Sequence, residues 1–397
     1  MARLLSNDEA LKRILAEVRA LPAEDVSLGE ARGRFLAEDA AAQVDLPPFA
    51  SSAMDGFAVR SADTPGTLPI VFRIAAGRPA ERGLGRGEAM GIATGGVVPE
   101  GADAVIPIEY VVDHDNSVEI PAAVAEGANI RPRGGDIRSG EEVARVGVRL
   151  SAAQIGGLAA AGLARVAAAA RPRASVLITG TELRAPGEPL GPGEVYEANG
   201  QMLAAQLASA GATVQVLPTV ADDEDAHRRA LERALEADVL VTSGGVSVGP
   251  HDLVRRIEAE LGVREVFWGV AVKPGKPLTF GVRDKTLVFG LPGNPVSSLV
   301  SFELFVRPAV LALQGAAEPG PRFDTGTLAK PVRRDADRDQ FLRGNRQVGE
   351  GLPLLAPLSG QESHMIARAA GADVLVHIPR GKGDLVAGSD VRFLPLG

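Results

Sequence analysis

Ala237-Asp-Val-Leu-Val-Thr-Ser-Gly-Gly-Val-Ser-Val-Gly-Pro-His-Asp252 decides how the centre of this chain is read. Val239-Leu-Val-Thr242 is the short, continuous apolar run of a strand buried on both faces. It enters a glycine-rich turn, Ser243 to Gly249, and then Leu253, Ile257 and Leu261 recur at helical spacing. Strand, glycine-rich loop and helix in this order present backbone N–H groups to a phosphate or another oxyanion. Gly244 and Gly245 allow a ligand to approach the backbone closely. The Asp252 carboxylate, just past the loop, is placed to hold a divalent cation. Paired glycines also serve turn geometry alone, so the loop by itself leaves both readings open.

A rival reading comes from the same residues. Gly245-Val-Ser-Val-Gly249 matches the G-x-S-x-G nucleophile elbow of serine hydrolases, with Ser247 as nucleophile. That motif needs a later acid and then a histidine, an upstream oxyanion-hole segment, and a helix starting directly after the serine. The histidines are His114, His227, His251, His364 and His377, and Pro250 and His251 delay the helix. The hydrolase reading is therefore the weaker one.

Around this stretch the pattern alternates. Ser175–Ile178 and Thr213–Leu217 read as strands, and helices are expected from Asn199 through Leu207 and from Asp225 to Leu235. The order βαβαβ predicts a parallel, doubly wound sheet with ligands at the C-terminal strand ends. A hairpin follows, with strands at Leu278–Phe280 and Leu287–Phe289, and then an apolar helix from Val296 to Leu313. Upstream, Ser6 and Glu9 form a capping box for a first helix. Short apolar pairs between Met54 and Ile137 predict a β-rich lobe, and a helix is expected over 151–164 with Ser151 as its N-cap. Beyond Gly315 to Pro321, short strands predict a separate C-terminal β domain. The fold class expected is a multidomain α/β protein. Its parts are a helical N-terminal piece at 1–50 and 137–170, an inserted β lobe at 51–136, an α/β domain at 171–316 and a β domain at 317–397.

Polar residues gather at the expected strand ends. Thr179-Gly-Thr-Glu182, Asp222-Asp223, the 243–249 loop, Lys273-Pro-Gly-Lys276 and Gly290-Leu-Pro-Gly-Asn-Pro295 fall on one edge of the sheet. Carboxylates and lysines converging there suit Mg²⁺ and a phosphorylated ligand. No G-x-x-x-x-G-K-[ST] motif is present.

Composition narrows the chemistry. The chain has 397 residues, no cysteine and five histidines. That excludes thiolate nucleophiles, disulfides and Cys-ligated zinc or iron–sulfur clusters. A net charge of −8 and 4% aromatic residues argue against a nucleic-acid surface. No apolar run of the length of a membrane span is expected, and the N-terminus carries no apolar signal core, so a soluble cytoplasmic protein is the expectation.

At these residues the chain resembles the molybdopterin molybdenumtransferase family, whose relatives include the plant cofactor-insertion protein and the E domain of gephyrin. The resemblance rests on Pro47–Ala58, Thr94–Asp103, Arg133-Gly-Gly-Asp136, Thr179–Leu183, Ser243–Gly249, Lys273-Pro-Gly-Lys-Pro277 and Gly290–Ser297, in the family's order. It implies a four-part protomer ending in a β barrel, and a homodimer. The cleft would lie between the α/β domain and the lobe and C-terminal domain of the partner subunit, with Asp55, Thr94 and Asp136 facing it. It also implies insertion of molybdenum from molybdate into adenylylated molybdopterin, with Mg²⁺ and release of AMP. Glu182, Asp222 and Asp252 are then the acidic, Mg²⁺-holding set, with Ser243, Gly244, Gly245, Ser247 and Gly249 in the pterin loop. Lys273, Lys276, Arg343 and Ser363 match the family's molybdate site, shaped by Pro292 and Pro295. The upstream adenylyltransferase and downstream cofactor carriers are implied as partners. One departure is Gly269, where many relatives carry a basic residue. A receptor-anchoring scaffold would need an added partner-binding region. An adenylyltransferase would need only the α/β domain.

Overall fold

The computed structural model describes residues 4–220, 223–244 and 253–396. Its centre is a six-stranded sheet of β1 (Arg173–Ile178), β2 (Thr213–Val216), β3 (Val239–Ser243), β4 (Arg264–Trp268), β5 (Thr279–Arg283) and β6 (Thr286–Leu291). The order is β2-β1-β3-β6-β5-β4. β1 runs parallel to β2 and β3, and β3 runs parallel to β6. β5 is antiparallel to both β6 and β4, so the sheet is mixed rather than wholly parallel. The cause is the tight hairpin at Asp284, whose φ of 53° closes a turn too short for a crossover. β4 thus points the same way as β1, β3 and β6, and the C-terminal ends of all four share one edge.

Helices cover both faces. α1 (Asn199–Ser209) and the long helix Pro295–Leu313 bury Leu203, Leu207, Val300, Phe305 and Val310 in one core with Phe280 and Phe289 of the sheet. α2 (Glu224–Ala234) and α3 (Leu253–Glu260) cover the other face through Leu231, Val254 and Ile257. Pro295–Leu313 is long and apolar enough to cross a membrane, contrary to the expectation from sequence, but 78% of it is buried inside the protein. Phe302–Val306 within it forms a π-helical turn.

The first helix, Asn7–Glu17, has the expected capping box. The Glu9 N–H donates to Ser6 Oγ at 3.2 Å, and the Ser6 N–H donates to Glu9 Oε2 at 2.9 Å. Its buried residues, Ala10 and Ile14, pack into the α/β core. Arg165–Ala169, at the end of the alanine-rich stretch, is a strand paired antiparallel with Ala23–Ser27. The sequence reading missed this ribbon because alanine is a poor strand former. Here Val26, Val166 and Ala168 bury against Leu36, Leu150 and Leu158, and tertiary packing decides.

The lobe is a curled six-stranded sheet containing Gly56–Val59, Gly66–Ile74, Ala89–Ile92 and Ala104–Pro107. In the C-terminal region, Asp339–Gln347 pairs with both Leu354–Pro357 and Val374–Ile378. Asp324–Leu328 and Asp390–Pro395 complete a closed five-stranded barrel. Val272–Lys273 leaves the α/β domain and adds to the barrel strand Asp339–Gln347. Arg264–Trp268 and Val272–Lys273, only a few residues apart, thus belong to two different sheets.

Candidate functional site

The ends of β1, β3 and β6 are locked together at the shared edge. The Thr179 N–H donates to Ser243 O at 3.3 Å, and the Gly244 N–H donates to Leu291 O at 3.3 Å. Gly244 has φ of 94°, and a Cβ there would stand 2.7 Å from Thr179 O and 2.9 Å from its Oγ1. Both the left-handed backbone and the contact therefore require glycine. We expect Gly244→Ala to cost about 1–3 kcal/mol of strain. A thermal melt should show a falling transition temperature, and an unchanged melt would contradict the strain. Ser243 is 1% exposed, and its hydroxyl donates to Pro292 O at 3.2 Å. Glu182 is exposed beside Gly180.

Next to these ends lies a cleft of ≈ 700 Å³ between the α/β domain and the barrel. Lys273, Lys276, Pro292 and Ser363 line it, so four residues singled out from sequence come together from three loops. Gly275 gives the lysine turn its close seat, because a Cβ there would be 2.7 Å from Ser301 Oγ of the long helix. The Val296 N–H, in that helix's first turn, donates to Ser363 O at 3.0 Å and fixes the barrel loop to the helix.

Sequence reading missed Arg338, which also lines the cleft. Asp335 holds it: Arg338 donates to Asp335 Oδ2 at 2.9 Å, and Lys273 Nζ donates to the same oxygen at 3.4 Å. Burial works to raise the Asp335 carboxyl. The N–H of Asp337 and the guanidinium and N–H of Arg338 outweigh it and hold the pKa at about 2. This depressed value gives a stability contribution that is present above the ordinary 3.8 and lost as pH falls through about 2, so the Asp335 carboxylate stays ionised near neutrality. The spacing Lys273…Asp335…Arg338 carries no local signal, because pairing of Val272–Lys273 with Asp339–Gln340 is what brings them together.

Arg343 stands behind the cleft wall. It is 1% exposed and donates from its guanidinium to Gly360 O at 2.6 Å and Gln361 O at 3.4 Å. Burial lowers its pKa from the ordinary value. It thus holds the segment that leads into Ser363. Pro295 begins the long helix, a position where its missing N–H costs nothing. Gly269 has φ of 85°, and a Cβ there would meet Leu4 Cδ2 at 2.8 Å, so the N-terminal segment fills the place of a basic side chain.

In the lobe, Asp55 and Thr94 form one unit: the Thr94 N–H donates to Asp55 Oδ1 at 2.6 Å and its hydroxyl at 3.0 Å. These two bonds hold the Asp55 carboxyl below the usual range. Asp136 is exposed, with its N–H donating to Leu46 O at 2.9 Å. Among the described residues no hydrogen bond or ion pair joins these three to the cleft. Asp222, Gly245, Ser247, Gly249 and Asp252 lie outside the described residues. Among the described residues no group of three His, Asp or Glu side chains could hold a metal ion, and Glu182 is the one described member of the expected acidic set.

A mixed α/β sheet whose glycine-rich strand ends border a cleft lined by Lys273, Lys276 and Arg338, closed on the far side by a β barrel, defines a multidomain α/β protein. The chain matches three family models in succession. These are the MoeA N-terminal region (domain I and II) over 5–162, a probable molybdopterin binding domain over 175–312 and the MoeA C-terminal region (domain IV) over 325–396. It is 36% identical to molybdopterin molybdenumtransferase 2 of Mycobacterium tuberculosis, covering 97% of this chain and 98% of that one. It is 32% identical to molybdopterin molybdenumtransferase of Staphylococcus aureus, covering 97% and 94%. A crystal structure of the molybdopterin biosynthesis moeA protein from Pyrococcus horikoshii superposes with a TM-score of 0.84 at 28% identity, covering 99% of this chain and 100% of that one. The chain belongs to the molybdopterin molybdenumtransferase family of enzymes.

Proposed function

We propose that this protein inserts molybdenum from molybdate into adenylylated molybdopterin, releasing AMP and leaving the metal on the dithiolene, in a Mg²⁺-dependent reaction. The observation that carries this reading is the cleft, where Lys273, Lys276, Arg338 and Ser363 meet beside the β1, β3 and β6 ends. Two ammonium groups, a guanidinium and a hydroxyl match a tetrahedral dianion. The glycine-rich loop supplies N–H groups for the phosphate of the adenylylated pterin. With no cysteine in the chain, the sulfur ligands come from the substrate.

Each site residue has a role in this proposal. Lys273, Lys276 and Ser363 bind molybdate, and Arg343 acts on the same pocket. Ser243 to Gly249 bind the pterin, with Pro292 and Pro295 shaping the adjoining loop. Glu182, Asp222 and Asp252 would hold Mg²⁺, which neutralises phosphoanhydride charge when bound. Asp55, Thr94 and Asp136 face the cleft of the partner subunit in a homodimer, so the lobe completes a site it does not reach in its own chain. The division at 1–50 with 137–170, 51–136, 171–316 and 317–397 follows these roles. A cytoplasmic enzyme would receive its substrate from an adenylyltransferase and pass its product to cofactor carriers.

The test is to incubate the pure protein with adenylylated molybdopterin, Mg²⁺ and molybdate, and to assay AMP and active cofactor. Absence of both products sinks the proposal. Asp252→Asn removes charge with little change of volume and is expected to slow AMP release on the order of tenfold, the worth of one charge-assisted contact. Unaltered turnover and Mg²⁺ dependence would remove Asp252 from the mechanism. Light scattering should give a dimer, and a fully active monomer would contradict the shared site.

A further inference from the structure

We propose that Asn199 is a positioning residue that clamps the two loops bearing the pterin substrate, an inference that rests on the function proposed above. Asn199 opens α1 and is 7% exposed. Its Nδ2 donates to Ser243 Oγ at 2.8 Å and to Gly293 O at 2.8 Å. One carboxamide therefore bridges the end of β3 and the 290–295 loop, two segments separated by half a domain in sequence. Ser243 carries the bridge on, donating to Pro292 O at 3.2 Å, an oxygen that also accepts from the Ser298 hydroxyl. The chain Asn199–Ser243–Pro292–Ser298 sets how far the end of β3 stands from the Pro292 rim of the cleft.

Two features make this more than packing. Asn199 uses both Nδ2 hydrogens, while its Oδ1 is buried with no hydrogen-bond partner. A buried unpaired acceptor is costly, and such groups in native proteins call for an explanation. The two bonds donated by Nδ2 hold the carboxamide in the bridging orientation against that cost. The lysine turn, by contrast, is held independently of Asn199. Gly275 packs on Ser301, and Val272–Lys273 pairs with Asp339–Gln340. The clamp therefore acts on the Ser243 and Pro292 segments and leaves the lysine turn in place.

The experiment measures metal insertion for wild type, Asn199→Ala, Asn199→Asp, Ser243→Ala and the double variant, varying the two substrates separately. Asn199→Ala should raise the KM for adenylylated molybdopterin roughly tenfold, the value of about one bridging hydrogen bond. The molybdate concentration for half-maximal rate should stay within about twofold. Asn199→Ala and Ser243→Ala should be non-additive because they cut the same bridge. The near-isosteric Asn199→Asp keeps the packing and loses the donations to both Ser243 Oγ and Gly293 O, so it decides the matter if the alanine variant does not fold. Its defect should shrink relative to wild type at lower pH, where a protonated carboxyl donates again. A rise in both substrate requirements alike, no rise in either, or full additivity overturns the clamp. A wild type that does not bind adenylylated molybdopterin overturns the functional reading instead.

Discussion

Lys276→Ala is expected to raise the molybdate concentration for half-maximal metal insertion ten- to hundredfold, with little change in binding of adenylylated molybdopterin. In the proposed function the two lysines of the turn serve one anion, since Gly275 seats the turn against the long helix and both line the cleft. Removing one charge-assisted hydrogen bond costs about 1.5–3 kcal/mol, and each 1.4 kcal/mol is a factor of about ten. Lys276 is exposed, and its carbonyl, not its side chain, holds the turn by accepting from the N–H groups of Val270 and Leu278 at 3.0 Å. Alanine preserves both bonds, so the fold should be indifferent. Isothermal titration with molybdate and a thermal melt separate the two effects. Lost pterin binding with unchanged molybdate dependence would falsify the assignment of this turn.

The sequence reading reached further for the α/β domain than for anything else, and the reason is local. Val239–Ser243 is buried throughout, and its apolar run is self-announcing. The helices around it are similarly legible, with Leu203 and Leu207 four apart on the buried face of α1. The Ser6–Glu9 and Ser151–Gln154 capping boxes mark two helix starts to the residue. What was not legible depends on distant pairing. The ribbon of Ala23–Ser27 and Arg165–Ala169 has a helix-like composition and is a strand because its partner covers it. Arg338 joins the site because the barrel strand after it takes up Val272–Lys273. Asn199 reads as the plain start of a helix, and its bridge to Gly293 exists only after β6 and α1 have met. The family resemblance singled out Lys273, Lys276 and Ser363, which line the cleft, but could not tell that Arg343 is buried behind it.

That placement gives Arg343→Ala a different signature from Lys276→Ala. The Arg343 side chain donates to the carbonyls of Gly360 and Gln361, and its backbone is clasped by Gln361, whose Nε2 donates to Arg343 O at 2.8 Å and whose Oε1 accepts from Arg343 N at 3.1 Å. Alanine leaves part-buried carbonyls unpaired and opens a hole at one of the largest fully buried side chains. The stability loss should be on the order of 3 kcal/mol, the sum of a lost charge-assisted bond and an unsatisfied acceptor. Molybdate dependence should weaken as well, through the 360–363 segment, because Ser363 reaches the cleft on the loop that Arg343 holds. Arg343→Lys should recover only part of either, since one ammonium cannot reproduce the planar fork. Ser363→Ala is the control: it should raise the molybdate requirement with an unchanged melt. If Arg343→Ala weakens molybdate binding with no loss of barrel stability, the guanidinium meets the anion directly, and a support role through the loop is excluded.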